Sequence, residues 1–478
     1  RSLVERYGCI AGYPDGTYRG NRPTTRFEFA AGLNACLDQI VRLIDTGGEV
    51  TREDLERLER LIQEFEAELA TLGTRVDSLE GRVAFLEDHQ FSTTTKLSGE
   101  VIFNLASAFE GDERADRRDD DLDGDTDDID DEITLSDRVR LNFDTSFFGR
   151  DRLRTRLQAA NIVRFDRATG TDMARLGFDQ NNGNDIEIDD LYYRFPFGDN
   201  LRFTIAANSV DFHNIADTKN PYFISSGTGA VTRFFRRNPA VYRNSVEAGA
   251  GVNIKLGDAL GLDLAYLVGD PENPDEKNGL FDGTYSALAQ LNFSPFEALD
   301  LGFTYARSYY PGGEANLSGS TGSRLLLDDL GNVDSAGARD PFGGFATSAN
   351  RFGIQGNFQL APTISIGGWV GYVDAEAEDG PNEDDDAEIW NWAANVAFTD
   401  LGKEGAVLGL MAGMPPKLTD IDGGAEDDDT SYMFEVQYRF PINDNILITP
   451  SVYLITDPNH NDGNDDIWVG TLRTTFKF

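Results

Sequence analysis

Polar and apolar side chains take turns along most of the stretch from Thr95 to Phe478, a twofold period that belongs to extended strands. In a strand successive side chains point to opposite faces, so each alternating segment has one apolar and one polar side. Such segments fall near 96–110, 132–148, 153–165, 185–197, 201–212, 242–257, 262–270, 283–294, 299–309, 347–360, 363–375, 388–400, 405–414, 430–440, 446–456 and 466–478, sixteen in all. Their connections alternate too. Gly149-Arg150-Asp151-Arg152, Gly198-Asp199-Asn200 and Ile442-Asn443-Asp444-Asn445 are tight turns, whereas the intervening connections are long and rich in Asp and Gly. Short turns at one rim and long loops at the other are the pattern of an outer-membrane barrel, and an even strand number brings both strand-bearing ends to the short-turn, periplasmic rim. A soluble sandwich explains the alternation but not the asymmetric rims.

Composition narrows the classes further. The 478 residues carry 83 acidic against 42 basic side chains, a formal net charge of -41, which argues against nucleic acid as a partner. With 40% hydrophobic and 11% aromatic residues the chain is too apolar for disorder. No run reaches the ~18 apolar residues that a membrane-spanning helix needs. Arg1-Ser2-Leu3 shows no leader pattern, which an exported protein would have lost. In the last strand Trp468, Leu472, Phe476 and Phe478 face one way and Thr471, Arg473, Thr475 and Lys477 the other. Phe147, Phe148, Tyr193, Phe195, Phe197, Tyr438 and Phe440 gather at strand ends, as an interfacial girdle should. The fold class is therefore mainly β: a 16-stranded antiparallel transmembrane β-barrel over 95–478, preceded by an α-helical module (1–45) and a coiled-coil stalk (51–90).

Residues 1–45 open with the turn-rich run Gly12-Tyr13-Pro14-Asp15-Gly16-Thr17-Tyr18. Thr25 then caps a helix beginning at Arg26, with Glu28 at the third helical position as in a capping box. Phe27, Phe29 or Ala30, Leu33 and Leu37 supply its apolar face. The two runs, Gly12 to Tyr18 and Thr25-Arg26-Phe27-Glu28-Phe29-Ala30, resemble an S-layer homology domain, whose signature is Thr-Arg-x-Glu. The resemblance implies wall binding, with Arg26 contacting peptidoglycan or a linked acidic polysaccharide and Asp15, Gly16, Thr25 and Glu28 shaping loop and cap. The first helix usual in that family is missing or cut off at Arg1, and a plain helix cap is the alternative role of Thr25 and Glu28.

Over 51–90, Leu55, Leu58, Ile62, Phe65, Leu69, Leu72, Val76, Leu79, Val83 and Leu86 recur at alternating spacings of three and four, a heptad seam. A rod of that length spans about 50 Å. Gly73 and Gly81 weaken it locally, and its Leu, Ile and Val layers do not separate dimer from trimer. Cys9 and Cys36, the two cysteines, either form one bridge in an oxidising compartment or stay free.

The order of module, stalk and barrel resembles cyanobacterial outer-membrane porins, related to the carbohydrate-selective porin superfamily. The terminal Phe478 is similar to the signal read by the outer-membrane assembly machinery. The resemblance implies a homotrimer in outer-membrane lipid with its N-terminal region in the periplasm. The function expected is passive diffusion of small hydrophilic solutes and inorganic ions, with the wall tethered through the module. The alternatives are a selective carbohydrate or iron-uptake channel and a structural anchor with a plugged barrel.

Alternation also selects the pore residues. If Leu141, Phe143, Thr145 and Phe147 face lipid, Arg138, Arg140, Asn142 and Asp144 face the lumen. The same parity sends Arg154, Arg156 and Arg164 inward, and Arg194 and Arg202 continue the row. A charge facing lipid at the midplane costs ~2–4 kcal/mol, so this row must point into water. The third long loop, near 213–241, carries Arg233-Phe234-Phe235-Arg236-Arg237, and Arg233, Arg236 and Arg237 are expected to narrow the channel and favour anions. The alternative is that they pair with aspartates and set no selectivity.

Acidic runs at Asp112–Glu132, Glu376–Glu388, Asp420–Asp429 and Asp457–Asp466 fall in long loops. Asp121-x-Asp123-x-Asp125 with Glu132 mimics a calcium loop, but Thr126 stands where that loop needs Gly. A solvated acidic rim is the expected reading, with a specific Ca2+ site as the alternative and no metal or other cofactor otherwise. His89, His213 and His460 define no catalytic set and no nucleophile elbow or phosphate loop is present, so no enzyme activity is expected.

Overall fold

The computed structural model describes residues 26–45, 52–66, 94–109, 111, 113–116, 127–313, 315–327 and 333–478, in two separate units, 1–93 and 94–478. In the first unit helix α1 (Arg26–Asp45) begins where the capping signature places it. Among its described side chains Leu33, Cys36 and Ile40 are buried, spaced three and four apart on one face, while Leu37 is only half-buried. Cys36 is disulfide-bonded. Its expected partner Cys9 lies outside the described residues, as do Asp15, Gly16 and Thr25. Helix α2 (Arg52–Glu64) occupies the start of the heptad region; the seam from Leu69 onward lies outside the described residues.

The second unit is a closed barrel. Its strands are β1 (Thr95–Phe109), β2 (Thr134–Thr145), β3 (Arg152–Ile162), β4 (Glu187–Phe197), β5 (Leu201–Asn208), β6 (Ala248–Lys255), β7 (Leu260–Val268) and β8 (Tyr285–Phe296), continuing with β9 (Leu299–Tyr310), β10 (Thr347–Ala361), β11 (Ile364–Ala377), β12 (Asp386–Thr399), β13 (Val407–Ile421), β14 (Tyr432–Asn443), β15 (Ile446–Thr456) and β16 (Ile467–Lys477). Each pairs antiparallel with its neighbours, and β1 pairs with β16 from Glu100 opposite Lys477 to Phe109 opposite Trp468, so no sheet edge is left open.

Parity decides what faces where. Leu97, Phe103 and Leu105 on β1, Phe303 on β9, Ile354 on β10, Val436 on β14 and Leu472 on β16 are exposed on the outside. Their alternates Asn104, Arg351, Gln355, Glu435 and Arg473 are buried inside. At the short-turn rim Asp151 closes the β2–β3 turn: its carboxylate accepts from Ser146 Oγ at 2.8 Å, from the Phe148 N–H at 3.0 Å and from the Tyr193 hydroxyl at 3.0 Å. Rings of Phe147, Tyr193, Phe195 and Phe203 run beside it at 5.3 to 6.1 Å between centroids, forming part of the expected girdle.

Strand β13 departs from expectation. It runs to Ile421, through Pro415-Pro416, where the sequence reads as an end at 414. Proline cannot donate to a ladder, and here register shifts between Glu388 and Ile389 and between Trp390 and Trp392 on β12 absorb it as bulges.

Much of the lumen is filled. The β5–β6 loop (209–247) folds inward, burying Phe223, Val231, Phe234 and Phe235 in one apolar cluster with Trp369 on β11, Met411 on β13 and Met433 on β14. A second cluster joins Phe212, Val241 and Tyr242 of that loop to Leu288 on β8, Val373 on β11 and Leu418 on β13. The space left open lies along β1 to β4.

Candidate functional site

Inward parity on β2 and β3 puts Arg138, Arg140, Arg154 and Arg156 on one lumenal patch, as the alternation predicts, and the infolded loop brings Arg233, Arg236 and Arg237 to the same space. The loop sequence explains this. In Arg233-Phe234-Phe235-Arg236-Arg237 the paired rings turn to the far wall, Phe234 meeting Trp369 at 5.8 Å, and a short 3-10 turn (Phe234–Arg236) carries the arginines. Asn220 Nδ2 fixes the turn by donating to the carbonyls of Phe235 and Arg236, both at 3.0 Å.

The result is an eyelet cavity of about 760 Å³. Among the described residues seven arginines line it, and so do seven carboxylates: Glu100, Asp179, Asp189, Asp190, Asp211, Glu247 and Asp270. The arginines are thus far from bare. Arg154 grips Asp144 through both Nε (2.8 Å) and Nη2 (2.6 Å), and Arg140 lies 3.3 Å from Asp189. Arg156 bonds Asp189 and reaches Asp190 at 2.8 Å. Arg237 pairs with Asp211, as the pairing alternative anticipates. Arg236 donates to the backbone carbonyls of Ile224 and Gly177, and Arg233 to that of Gly319 at 3.4 Å. Burial, with Arg175 nearby, pushes the Arg233 guanidinium down to about 9, still charged at neutral pH. Burial and Arg237 push His213 down to about 3, so it is neutral. Asp190 Oδ2, Asn142 Oδ1, Arg138 Nε and two nitrogens of Arg237 are buried on this lining without a protein partner. Buried polar atoms are nearly always satisfied, so these belong to a wetted space and not to a packed core.

Two corrections concern the predicted row. Arg164 is not on a wall strand: β3 ends at Ile162, and Arg164 pairs with Asp166 at 2.7 Å in the loop, lining an outer chamber of about 720 Å³. Arg138, only 2% exposed, sits beneath the infolded loop, pairing with Glu100 at 2.9 Å and donating to Ser226 Oγ at 3.0 Å, so it holds the loop more than it faces water. Arg194 is occupied by Thr204, the Asn214 carbonyl and the Tyr192 ring, 5.0 Å away. Arg202, held by Asn253 at 2.9 Å, lines an inner chamber of about 360 Å³. Asp179, Gln180 and Arg233 line both outer chamber and eyelet, and His213 both eyelet and inner chamber, so the three spaces abut. Of the wall-binding candidates, Arg26 and Glu28 lie in α1, but their side chains are outside what is described. Asp121, Asp123 and Asp125 are outside the described residues as well.

Sequence reading misses Asp189 and Asp190. Adjacent residues of a regular strand face opposite ways, yet both acids reach Arg156. A bulge accounts for it: Arg156 pairs with Asp190 and Leu157 with Ile188, leaving Asp189 extra. The signal was present, since two adjacent acids in a lipid-bounded strand imply either a carboxylate facing lipid, at a cost, or a bulge.

Comparison with known proteins fits this geometry. A family model described as "Carbohydrate-selective porin, OprB family" matches residues 52–478. The chain belongs to the OprB porin family. An S-layer homology domain model matches residues 2–30 of this porin. An uncharacterized protein of Synechocystis sp. is 39% identical over 502 residues, covering 100% of this chain and 87% of the relative. The outer membrane protein SlpA of Thermus thermophilus is 44% identical over 87 residues, covering 17% of this chain and 9% of that protein. In fold, the porin is similar to OprB of Pseudomonas putida, with a TM-score of 0.51 at 11% identity, covering 84% of this chain and 97% of that one. The barrel is thus an outer-membrane channel with a periplasmic S-layer homology domain, and family and fold point to transport and not to enzyme chemistry.

Proposed function

We propose that this lumen carries small hydrophilic solutes, ions included, by passive diffusion past a charge-balanced eyelet. One observation carries the reading: a cavity lined by ionised side chains whose buried polar atoms lack protein partners, flanked by two abutting polar chambers. A plugged anchor would pack that space. Because carboxylates match arginines in number, the expected channel is weakly selective and not strongly anion-selective. Arg233 and Arg236 bond only carbonyls, so they form the locally anion-favouring element. Planar-bilayer reversal potentials in a KCl gradient test this. Arg233→Ala is expected to move the permeability ratio toward cations, and Asp189→Asn toward anions, each by about two- to threefold. Absence of conductance, or potentials unmoved by both changes, removes the reading.

The family's description favours a second reading, a carbohydrate path. Among the described residues Phe178 is the one phenyl or phenol ring on the eyelet lining, and the Arg473 guanidinium covers it at 5.1 Å, leaving little ring face for a sugar. Liposome swelling with sugars of graded size separates the two, since simple diffusion gives rates that fall smoothly with size.

We further propose that the S-layer homology domain binds peptidoglycan or a linked acidic polymer through Arg26, and that three copies associate across the β5–β7 face. Strands β5 and β6 have 8 residues each against 15 for β10. Tilted, 8 residues rise ~20 Å, less than the ~25 Å apolar band. Irregular backbone at membrane depth needs protein cover, which a neighbouring copy supplies. A mass of three chains for the detergent-solubilised porin is expected, and a monomer removes the idea.

A further inference from the structure

The tip of the infolded loop is held by inward-facing side chains of β14 and β16, none of which lines the eyelet. Four successive carbonyls are each taken: Ser226 O by Arg473 Nη1 at 3.3 Å, Gly227 O by Thr475 Oγ1 at 2.7 Å, Thr228 O by Arg439 Nη1 at 2.7 Å, and Gly229 O by Arg473 Nη2 at 2.7 Å. Two successive N–H groups follow, those of Val231 and Thr232, donating to the two oxygens of Glu435 at 2.7 and 2.9 Å. The approach is close enough that a Cβ on Gly227 would lie 2.0 Å from Glu100 Oε2. Glu435 and Arg473 are both 0% exposed, and neither lines the eyelet. A buried carboxylate and guanidinium are costly to desolvate and persist only where hydrogen bonds compensate them. Here those bonds go to one backbone segment, which ends at Arg233.

We propose that Glu435 and Arg473 are positioning residues of the channel: they clasp residues 226–232 and thereby set where the Arg233–Arg237 turn stands in the lumen, and so the ion preference. This rests on the reading of the lumen as a diffusion channel. Loss of the clasp frees the loop tip and moves the arginines off the solute path without altering any group that lines it.

The test is single-channel recording of the full chain in planar bilayers, which reads only folded, inserted molecules. Glu435→Gln places an amide N–H against a backbone N–H, undoing half the clasp. Its reversal potential is expected to shift toward cations by at least half the change produced by Arg233→Ala, with more frequent current transitions. Added to Arg233→Ala/Arg236→Ala it is expected to shift nothing further. A role in barrel stability alone would lower the melting temperature and leave the reversal potential in place. Should Glu435→Gln fail to insert, Thr475→Val, which removes one donor to Gly227, is judged in the same way. A wild-type reversal potential in the variant, or an equal shift on the double-arginine background, overturns the clasp; absence of channels in the wild type removes the diffusion reading itself.

Discussion

Arg26→Ala is expected to leave the detergent-solubilised porin in the supernatant when purified wall sacculi are pelleted, whereas the wild type sediments with them. Arg26 is the first residue of α1 and falls within the matched S-layer homology region, 2–30. Charge-assisted hydrogen bonds are worth ~1.5–3 kcal/mol each, so losing a bidentate contact reduces affinity by a hundredfold or more, on the order of what separates bound from free at micromolar protein. The acidic chain, at a formal charge of -41, has no general attraction for an anionic polymer, so the proposed binding requires a specific cationic side chain. Raised salt should weaken wild-type binding in parallel. Glu28→Ala, at the third helical position of the capping signature, is expected to cost ~1 kcal/mol of helix stability and only part of the binding. Undiminished sedimentation of Arg26→Ala would show that another group holds the wall. Its bilayer conductance should match the wild type.

The second large effect is at the outer mouth. Asp172, 0% exposed, takes Arg324 at 2.5 Å and Arg339 at 3.1 Å, while Asp166 takes Arg164 at 2.7 Å and Arg324 at 2.8 Å. These pairs tie the β3–β4 loop (163–186) to the β9–β10 loop (311–346). Asp172→Asn removes the charge that Arg324 and Arg339 share, leaving Arg324 with Asp166. Breaking a buried pair costs ~3–5 kcal/mol, and the partial exposure of both arginines reduces that to ~2. A change of that size raises the released population about 30-fold. Trypsin acting on proteoliposomes should cut after Arg324 and Arg339 correspondingly faster; equal rates would show that the loops are held by something else. Acid should act in the same direction. Burial alone would raise the Asp166 carboxyl, but Arg164, Arg175 and Arg324 outweigh it and hold it below the usual carboxylate range. A depressed folded-state pKa stabilises above the unfolded value, near 3.9, and that contribution fades as pH falls through the folded one. The tie is therefore expected intact at neutral pH and loosened only in strong acid.

Alternation made the barrel legible because each strand touches oil on one side, so every residue carries a sign. It also located the eyelet, since Arg140, Arg154 and Arg156 could not face lipid. The failures came where that rule relaxes. Pro415-Pro416 reads as a strand end because a bulge cannot be seen in a one-strand pattern, and Asp189 was lost for the same reason. Arg164 followed the parity past the point where β3 ends. Glu435 and Arg473 had the right parity, but their work is to hold backbone, and a loop's backbone path leaves no periodic trace in the sequence.

The infolded loop divides the wall into a dry sector, β11 to β16, and a wet one, β1 to β4. The two answer to different pressures. Apart from the loop-holding Glu435 and Arg473, substitutions on the dry sector are judged as in any soluble core, by volume and fit. Those on the wet sector are judged by the ions that pass. A throat set eccentrically in this way can be retuned in sieving and polarity, by drift or by design, while the keel that keeps the cylinder from buckling is left alone.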